Sequence, residues 1–144
     1  MPDLISDTSP IQYLHQLGLL EILPELTDQV RVPPAVIDEL MEGRAQGVDL
    51  PSLEGYAWTT IHAPDSAPAL PLITDLGPGE REVLALALES EDCIAVLDDK
   101  VARRSARRLN LQFTGTLGLL LDAKTANFIE AVSPYLDQLD ELNF

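Results

Sequence analysis

The fold is decided by the stretch Cys93-Ile94-Ala95-Val96-Leu97-Asp98-Asp99. An unbroken apolar run of this length is typical of a strand that is buried on both faces, as strands are in a parallel sheet. Two aspartates end the run, and a basic segment with helical spacing begins at Lys100. A buried strand that leads straight into a helix indicates one unit of an alternating α/β chain.

The rest of the chain repeats this alternation of short apolar runs and amphipathic segments. Strands are predicted at residues 4–6, 30–32, 58–62, 93–97 and 111–113. Helices are predicted from the capping sequence Thr8-Ser9-Pro10, at 35–42, at 80–89, over the basic segment, after Gly115, and from Pro134 to about residue 142. Residues 43–53 are predicted as a surface loop or a poorly formed helix, and 63–71 as a linker across the surface. The pattern predicts an α/β fold, a three-layer sandwich with a central parallel sheet, in one domain spanning residues 1–144.

The composition is that of a globular protein from a reducing compartment. Hydrophobic residues make up 46% of the chain, which excludes general disorder. The single cysteine, Cys93, cannot form an internal disulfide. No apolar run approaches the roughly 20 residues of a membrane span, and the N-terminus lacks the pattern of a secretory signal. We therefore expect a cytoplasmic protein that has no membrane partner.

The net charge of −15 at pH 7 bears directly on possible partners. A field of this sign repels nucleic acids, especially at low salt. The acidic residues could simply keep the protein soluble, gather around a cation, or form a face that meets a basic partner.

The basic residues are concentrated in one place. Five of the nine lysines and arginines recur at i, i+3, i+4, i+7 and i+8, which places them along one side of a helix: Lys100, Arg103, Arg104, Arg107 and Arg108. They form either a solvated face that pairs with nearby acids or a stripe that binds phosphates. If the chain binds RNA, this stripe is where its backbone would lie.

Carboxylates collect at the ends of the predicted strands. Asp7 follows the first strand, Asp98 and Asp99 follow the buried strand, Glu80 begins a helix, and Glu39 lies on the helix after the second strand. Functional groups of open parallel sheets gather at this edge, although each acid could also be only a helix cap or a dipole partner. Carboxylates crowded together repel one another unless a cation is present, and an all-oxygen set without a His or Cys cluster suits Mg²⁺ or Mn²⁺. The sequence therefore predicts a divalent-metal site.

At these residues the chain resembles the PIN-domain family over nearly its whole length. The likeness is carried by residues 5–10, 36–40, 79–87, 96–103 and the turn 115–118. The resemblance implies a metal-dependent ribonuclease, often the toxin of a toxin–antitoxin pair. It implies that Asp7, Glu39, Glu80 and Asp99 are the catalytic acids. The third acid is Glu here instead of the commoner Asp.

Several neighbours of these acids receive expected roles by the same resemblance. Asp98 competes with Asp99 for the fourth position, so the expected metal ligands are Asp7, Glu80, Asp99 and Asp98. Thr8 or Ser9 would orient a water molecule or a phosphate oxygen, and Glu82 lies close to the third acid. The expected partners are RNA and an antitoxin protein.

Other functions also fit the sequence. A non-catalytic PIN-like binding module would not bind Mn²⁺ at its carboxylates. An aspartate-based phosphotransferase would use Asp7 as a nucleophile, but no second aspartate lies two residues after it. The amphipathic C-terminal helix, with Leu136, Leu139 and Leu142, is expected either to pack on the domain or to form the seam of a homodimer.

Overall fold

The computed structural model, which describes residues 2–65 and 76–144, contains one five-stranded sheet in which every pair of neighbours is parallel. The strand order across the sheet is β3-β2-β1-β4-β5. The strands are β1 (Asp3–Ser6), β2 (Val30–Val32), β3 (Thr59–Ile61), β4 (Cys93–Val96) and β5 (Phe113–Thr114).

Seven helices within the described residues flank this sheet, which confirms the predicted α/β fold. They are α1 (Thr8–Gln16), α2 (Ile22–Leu26), α3 (Pro34–Ala45), α4 (Pro78–Glu89), α5 (Lys100–Arg108), α6 (Thr116–Thr125) and α7 (Ser133–Glu141). No helix in these parts of the chain is long and apolar enough to cross a membrane.

The centre of the sheet is formed by β1 and β4, which pair along four residues. Ile5, Ala95 and Val96 are completely buried there, as the unbroken apolar run predicted. The chain leaves β1 toward β2 and leaves β4 toward β5, in opposite directions across the sheet. The carboxyl ends of β1 and β4 therefore border a topological switch point, where α/β proteins bind their ligands.

Several predicted boundaries are wrong by a few residues, for local reasons. α3 continues to Ala45, because the absence of a side chain at Gly43 leaves room for Leu50 to pack against the helix. β5 begins at Phe113 because Leu111 still donates its amide to Ala106 O of α5, at 2.9 Å. The short helix α2 was not predicted, since five residues show no periodicity. Of the predicted linker, only residues 63–65 belong to the described residues.

The C-terminal helix α7 packs on the domain. Leu139 is buried, and the Phe144 ring meets Tyr13 of α1 edge-on at 4.9 Å. Leu136 is 45% exposed, so a homodimer seam on this helix stays a prediction. The buried hydrophobic residues form one core cluster, while the single domain of residues 1–144 also stays a prediction.

Candidate active site

Asp7 lies in the middle of the carboxylate edge, directly after β1. Its amide donates to Val96 O of β4 at 3.1 Å, and only 5% of the residue is exposed. Although Asp7 occupies the N-cap position of α1, its side chain makes no capping hydrogen bond. The carboxylate therefore lies at the switch point, where it contacts the first amide of α1, that of Thr8, without the usual capping bond.

The surroundings of Asp7 disfavour its charged form. Burial is the main cause that raises the pKa of Asp7 from 3.8 to about 7. The charges of Glu39, Asp98 and Asp99 raise it further, whereas the Thr8 amide opposes the rise. A cation would stabilise the charged form of this buried carboxylate, which three other carboxylates destabilise.

Glu80 approaches the same point from the first turn of α4. Burial, followed by the charges of Asp7, Asp99 and Glu39, raises its pKa from 4.5 to about 7. The amide of Gly77, the N-cap residue of α4, acts in the opposite direction. One carboxylate oxygen, Oε2, is buried and has no hydrogen-bond partner among the described residues.

Glu39 reaches the edge from α3. Burial is again the main cause of its raised pKa, which the Thr8 hydroxyl and the Gly79 amide partly lower. Neither Glu39 Oε1 nor Thr8 Oγ1, both buried, has a partner at full hydrogen-bond geometry in the described chain. Two further oxygens beside Asp7 are thus available to a ligand.

Gly79 allows α4 to approach these acids. A Cβ atom at this position would overlap Glu39 Oε1 and lie 3.1 Å from Asp7 Oδ1. A side chain here would displace the Glu39 carboxylate from its position beside α4. The glycine therefore sets how closely the first turn of α4 can lie against Asp7 and Glu39.

The adjacent aspartates Asp98 and Asp99 make different contacts. Asp98 accepts from the Thr116 amide through Oδ1, at 2.8 Å, and from the Thr116 hydroxyl through Oδ2, at 2.7 Å. Burial raises its pKa, while the two bonds from Thr116 and the charge of Arg103 lower it. Asp99 is exposed and caps α5, accepting from the Ala102 amide at 3.0 Å. Both oxygens of Asp98 are thus engaged, whereas Asp99 uses only Oδ2.

Glu82 and Ser9, the other two residues expected to assist, lie farther from the switch point along their helices. Glu82 accepts from the Ala35 amide at 2.8 Å, which ties α4 to the N-terminus of α3. Because Glu39 lies one turn farther along α3, Glu82 supports its placement through the backbone. Ser9 is half-buried in the first turn of α1.

The basic stripe lies on α5, beside Asp99. Arg103, Arg104, Arg107 and Arg108 are exposed, as is Lys100. None of the five forms an ion pair with a described residue, since the two ion pairs found there are His15–Asp49 and Arg31–Asp3. Arg103 and Arg107 instead stack on the Phe113 ring, with Cζ atoms 5.3 and 5.4 Å from its centroid. The described residues thus form no ion pair with the stripe, although the charge of Arg103 acts on Asp98.

Besides burial, the charges of Glu39 and Asp99 raise the pKa of both Asp7 and Glu80, so the structure brings these four acids close together. Within residues 2–65 and 76–144, no group of three or more Asp, Glu, His or Cys side chains is arranged to hold a metal directly. Mg²⁺, however, keeps several waters and is usually bound through one or two carboxylates. The unpartnered oxygens of Glu39, Glu80 and Thr8, beside the buried Asp7, fit a hydrated hard cation.

Three residues that shape this edge were given no role by sequence reasoning: Gly79, Gly115 and Thr116. The sequence could have indicated the role of Gly79, because a second glycine after Pro78 at the start of a helix suggests that a side chain would not fit there. Thr116 bonds Asp98 across 18 residues of chain, and a Cβ at Gly115 would lie 2.8 Å from Asp98 Oδ1. Nothing local in the sequence reports such a contact.

Comparison with known proteins adds one finding. A protein-family model described as a PIN domain matches residues 3–144. No curated protein matches the chain.

Proposed function

Because the chain belongs to the PIN-domain family, whose members are typically nucleases, we propose that it is a divalent-metal-dependent endoribonuclease. We propose further that it is the toxin of a toxin–antitoxin pair. The observation that carries the proposal is the convergence of Asp7, Glu39 and Glu80 at the switch point, with raised pKa values and unpartnered oxygens.

The chemistry of the site follows from its charges. Asp7 and Glu80 would hold Mg²⁺ or Mn²⁺ together with Asp99, directly or through water, and Glu39 would assist. When bound, such a cation supplies Lewis-acid chemistry at the scissile phosphate and at a water molecule. Thr8, whose hydroxyl lies beside Glu39, would orient that water or a phosphate oxygen.

The raised pKa values give the proposed reaction a pH dependence. Asp7 and Glu80 are largely protonated below pH 7 when no metal is bound, because both have pKa values of about 7. Protons then compete with the cation, so metal affinity should fall as the pH is lowered from about 8 to 6. A titration of Mn²⁺ binding against pH measures this competition.

RNA binding by so acidic a protein would depend on α5. None of its five basic residues forms an ion pair with a described residue, so they are available to phosphates. Reversing two of them, in Arg104→Glu/Arg108→Glu, should weaken RNA binding and flatten its salt dependence, since each lost phosphate contact on single-stranded RNA lowers the slope by about 0.7. Unchanged affinity would exclude α5 as the RNA surface.

The decisive experiment is RNA cleavage with Mn²⁺ and with EDTA, in which the native protein is compared with Asp7→Asn. Cleavage should require the metal and disappear in this variant, because the buried carboxylate at the switch point is lost. Asp38→Asn provides the matched control, since it removes an exposed aspartate of α3 and should cleave normally. Metal-dependent cleavage that survives in Asp7→Asn would refute the assignment of the site.

The toxin role rests on the family resemblance and on the charge of −15, which suits a partner with a basic segment. Expression of the native chain should arrest growth, and Asp7→Asn should not. Co-purification of a small basic protein would identify the antitoxin. Cleavage of RNA in vitro without growth arrest would separate the nuclease from the toxin proposal.

A non-catalytic PIN-like binding module remains the second candidate. It is favoured by the absence, among the described residues, of any directly metal-holding group of three acids. Calorimetric titration separates the two: a nuclease binds Mn²⁺ and loses that binding in Asp7→Asn, whereas a binding module takes up no Mn²⁺ in either form.

A further inference from the structure

A cleft of about 620 Å³ lies against the amino-terminal half of the sheet, away from the carboxylate edge. Its walls include Leu4 of β1, Ile94 of β4, Leu26 of α2 and Leu119 of α6, with Asp122 among its lining residues. On the β5 side it is lined by Leu111, Gln112, Phe113 and Thr114. The cleft is thus largely apolar and borders the edge strand of the sheet.

Within residues 2–65 and 76–144, no strand pairs with the outer edge of β5, which is two residues long. On the β4 side, Ala95 donates to Gln112 O at 3.0 Å, and Leu97 donates to Thr114 O at 2.8 Å. Because backbone groups alternate in direction along a strand, the N–H and C=O of Phe113 point away from β4. An unpaired edge of this kind is a template for another strand.

The two faces of the sheet differ in chemistry at this edge. Leu4 and Ile94 are paired in register and line the cleft on one face. Phe113 pairs with Ala95, one residue farther along β4, so its side chain is on the opposite face. There it is covered by Arg103 and Arg107, neither of which forms an ion pair with a described residue, although the charge of Arg103 also acts on Asp98.

We propose that the β5 edge binds an extended segment of a partner protein as a sixth strand. Side chains of an added strand alternate between the two faces, so every second residue would enter the cleft and the others would face α5. The complementary segment therefore alternates apolar residues, directed into the cleft, with acidic residues directed toward Arg103 and Arg107. This binding does not depend on the nuclease proposal.

A second copy of this chain is a poorer occupant of the same edge. Pairing β5 with the β5 of another copy would bring two α5 helices together, each with five basic residues. The like charges of the two helices would repel each other at short range. An acidic strand would instead neutralise the arginines.

The test uses the full-length protein and short synthetic peptides with blocked ends. The probe alternates Glu and Leu over seven residues, and its matched control has the same composition with the four Glu first and the three Leu last. A third peptide alternates Lys and Leu. Binding is measured by fluorescence anisotropy, and protection of the Phe113 amide by hydrogen exchange reports strand addition directly.

We expect the alternating Glu-Leu peptide to bind and to slow exchange of the Phe113 amide. The double substitution Arg103→Glu/Arg107→Glu should weaken binding of this peptide about tenfold, since two favourable contacts become repulsive. The same variant should bind the Lys-Leu peptide instead. Arg104→Glu/Arg108→Glu makes the same change in charge away from the Phe113 ring and should have a much smaller effect.

Three outcomes would overturn the proposal. Equal binding of the block peptide would show that alternation does not matter, and equal binding of the Lys-Leu peptide to the native protein would show that the arginines do not select the partner. A stable dimer in sedimentation, with the Phe113 amide already protected, would assign the edge to a second copy.

Discussion

The burial of Asp7 predicts that removing its charge stabilises the protein. Its pKa of about 7 in the folded chain, against an ordinary value of 3.8, means that ionisation opposes folding. Three pKa units correspond to about 4 kcal/mol at 25 °C. Asp7→Asn keeps the shape of the side chain and cannot ionise, so it should avoid most of this cost at neutral pH.

The pH window follows from the sign of the shift. Below about pH 4 Asp7 is protonated in both the folded and the unfolded chain, and it costs nothing. As the pH rises toward 7, only the unfolded chain ionises readily, and stability falls; above pH 7 the full cost is present. Asp7→Asn should therefore be up to about 4 kcal/mol more stable than the native protein at pH 8 and nearly equal at pH 4.

Urea unfolding between pH 4 and 8, followed by circular dichroism, measures this difference. Some pH dependence should remain in the variant, because burial and the charges of Asp99 and Glu39 still raise the pKa of Glu80. Mn²⁺ at pH 8 should stabilise the native protein more than the variant, because the cation replaces the missing counter-charge. The exposed Asp38→Asn again serves as the control. A variant less stable than the native protein at pH 8, or with the same pH slope, would refute the reasoning.

Two further predictions concern residues that position the acids. Gly79→Ala should weaken Mn²⁺ binding, because the added Cβ overlaps Glu39 Oε1. The control Gly77→Ala should bind Mn²⁺ normally, because its Cβ would lie 3.6 Å from the nearest atom, Glu80 Oε1. Equal Mn²⁺ affinities of the two variants in calorimetric titration would contradict this prediction. Asp98→Ala should cost about 1–3 kcal/mol in urea unfolding, because it leaves two donors without an acceptor. Asp98→Asn can still bond both groups of Thr116 and should keep most of that stability and the Mn²⁺ affinity. A large loss of Mn²⁺ affinity in Asp98→Asn would make Asp98 a metal ligand.

The sequence predicted the fold best where a run of apolar residues coincides with a buried strand. The apolar run before Asp98 predicted a central strand, and β4 is paired on both sides. The acids could be placed at one edge because they follow strands that must be parallel. What each carboxylate contacts could not be predicted, since the bonds from Thr116 to Asp98 and from Ala35 to Glu82 join residues 18 and 47 positions apart.

The same limit applies to helix ends and to the stripe on α5. Spacing placed five basic residues on one side of a helix, but it left open whether acids would pair with them. Stacking of Arg103 and Arg107 on Phe113 depends on how α5 crosses β5, which only the packed structure defines. Helix α3 runs beyond its predicted end because Leu50, distant in the pattern, packs against Gly43.

The hydrogen bond from the Asp7 amide to Val96 O fixes the position of Asp7 relative to the centre of the sheet. This amide belongs to the two central strands, whose residues Ile5 and Val96 are fully buried. Amides in such positions exchange with solvent only when the whole molecule opens, whereas frayed helix ends exchange through small local openings. The backbone that carries the Asp7 carboxylate should therefore stay in place for as long as the core remains folded. Thermal motion that loosens α3 or α4 would displace Glu39 and Glu80 around a fixed Asp7.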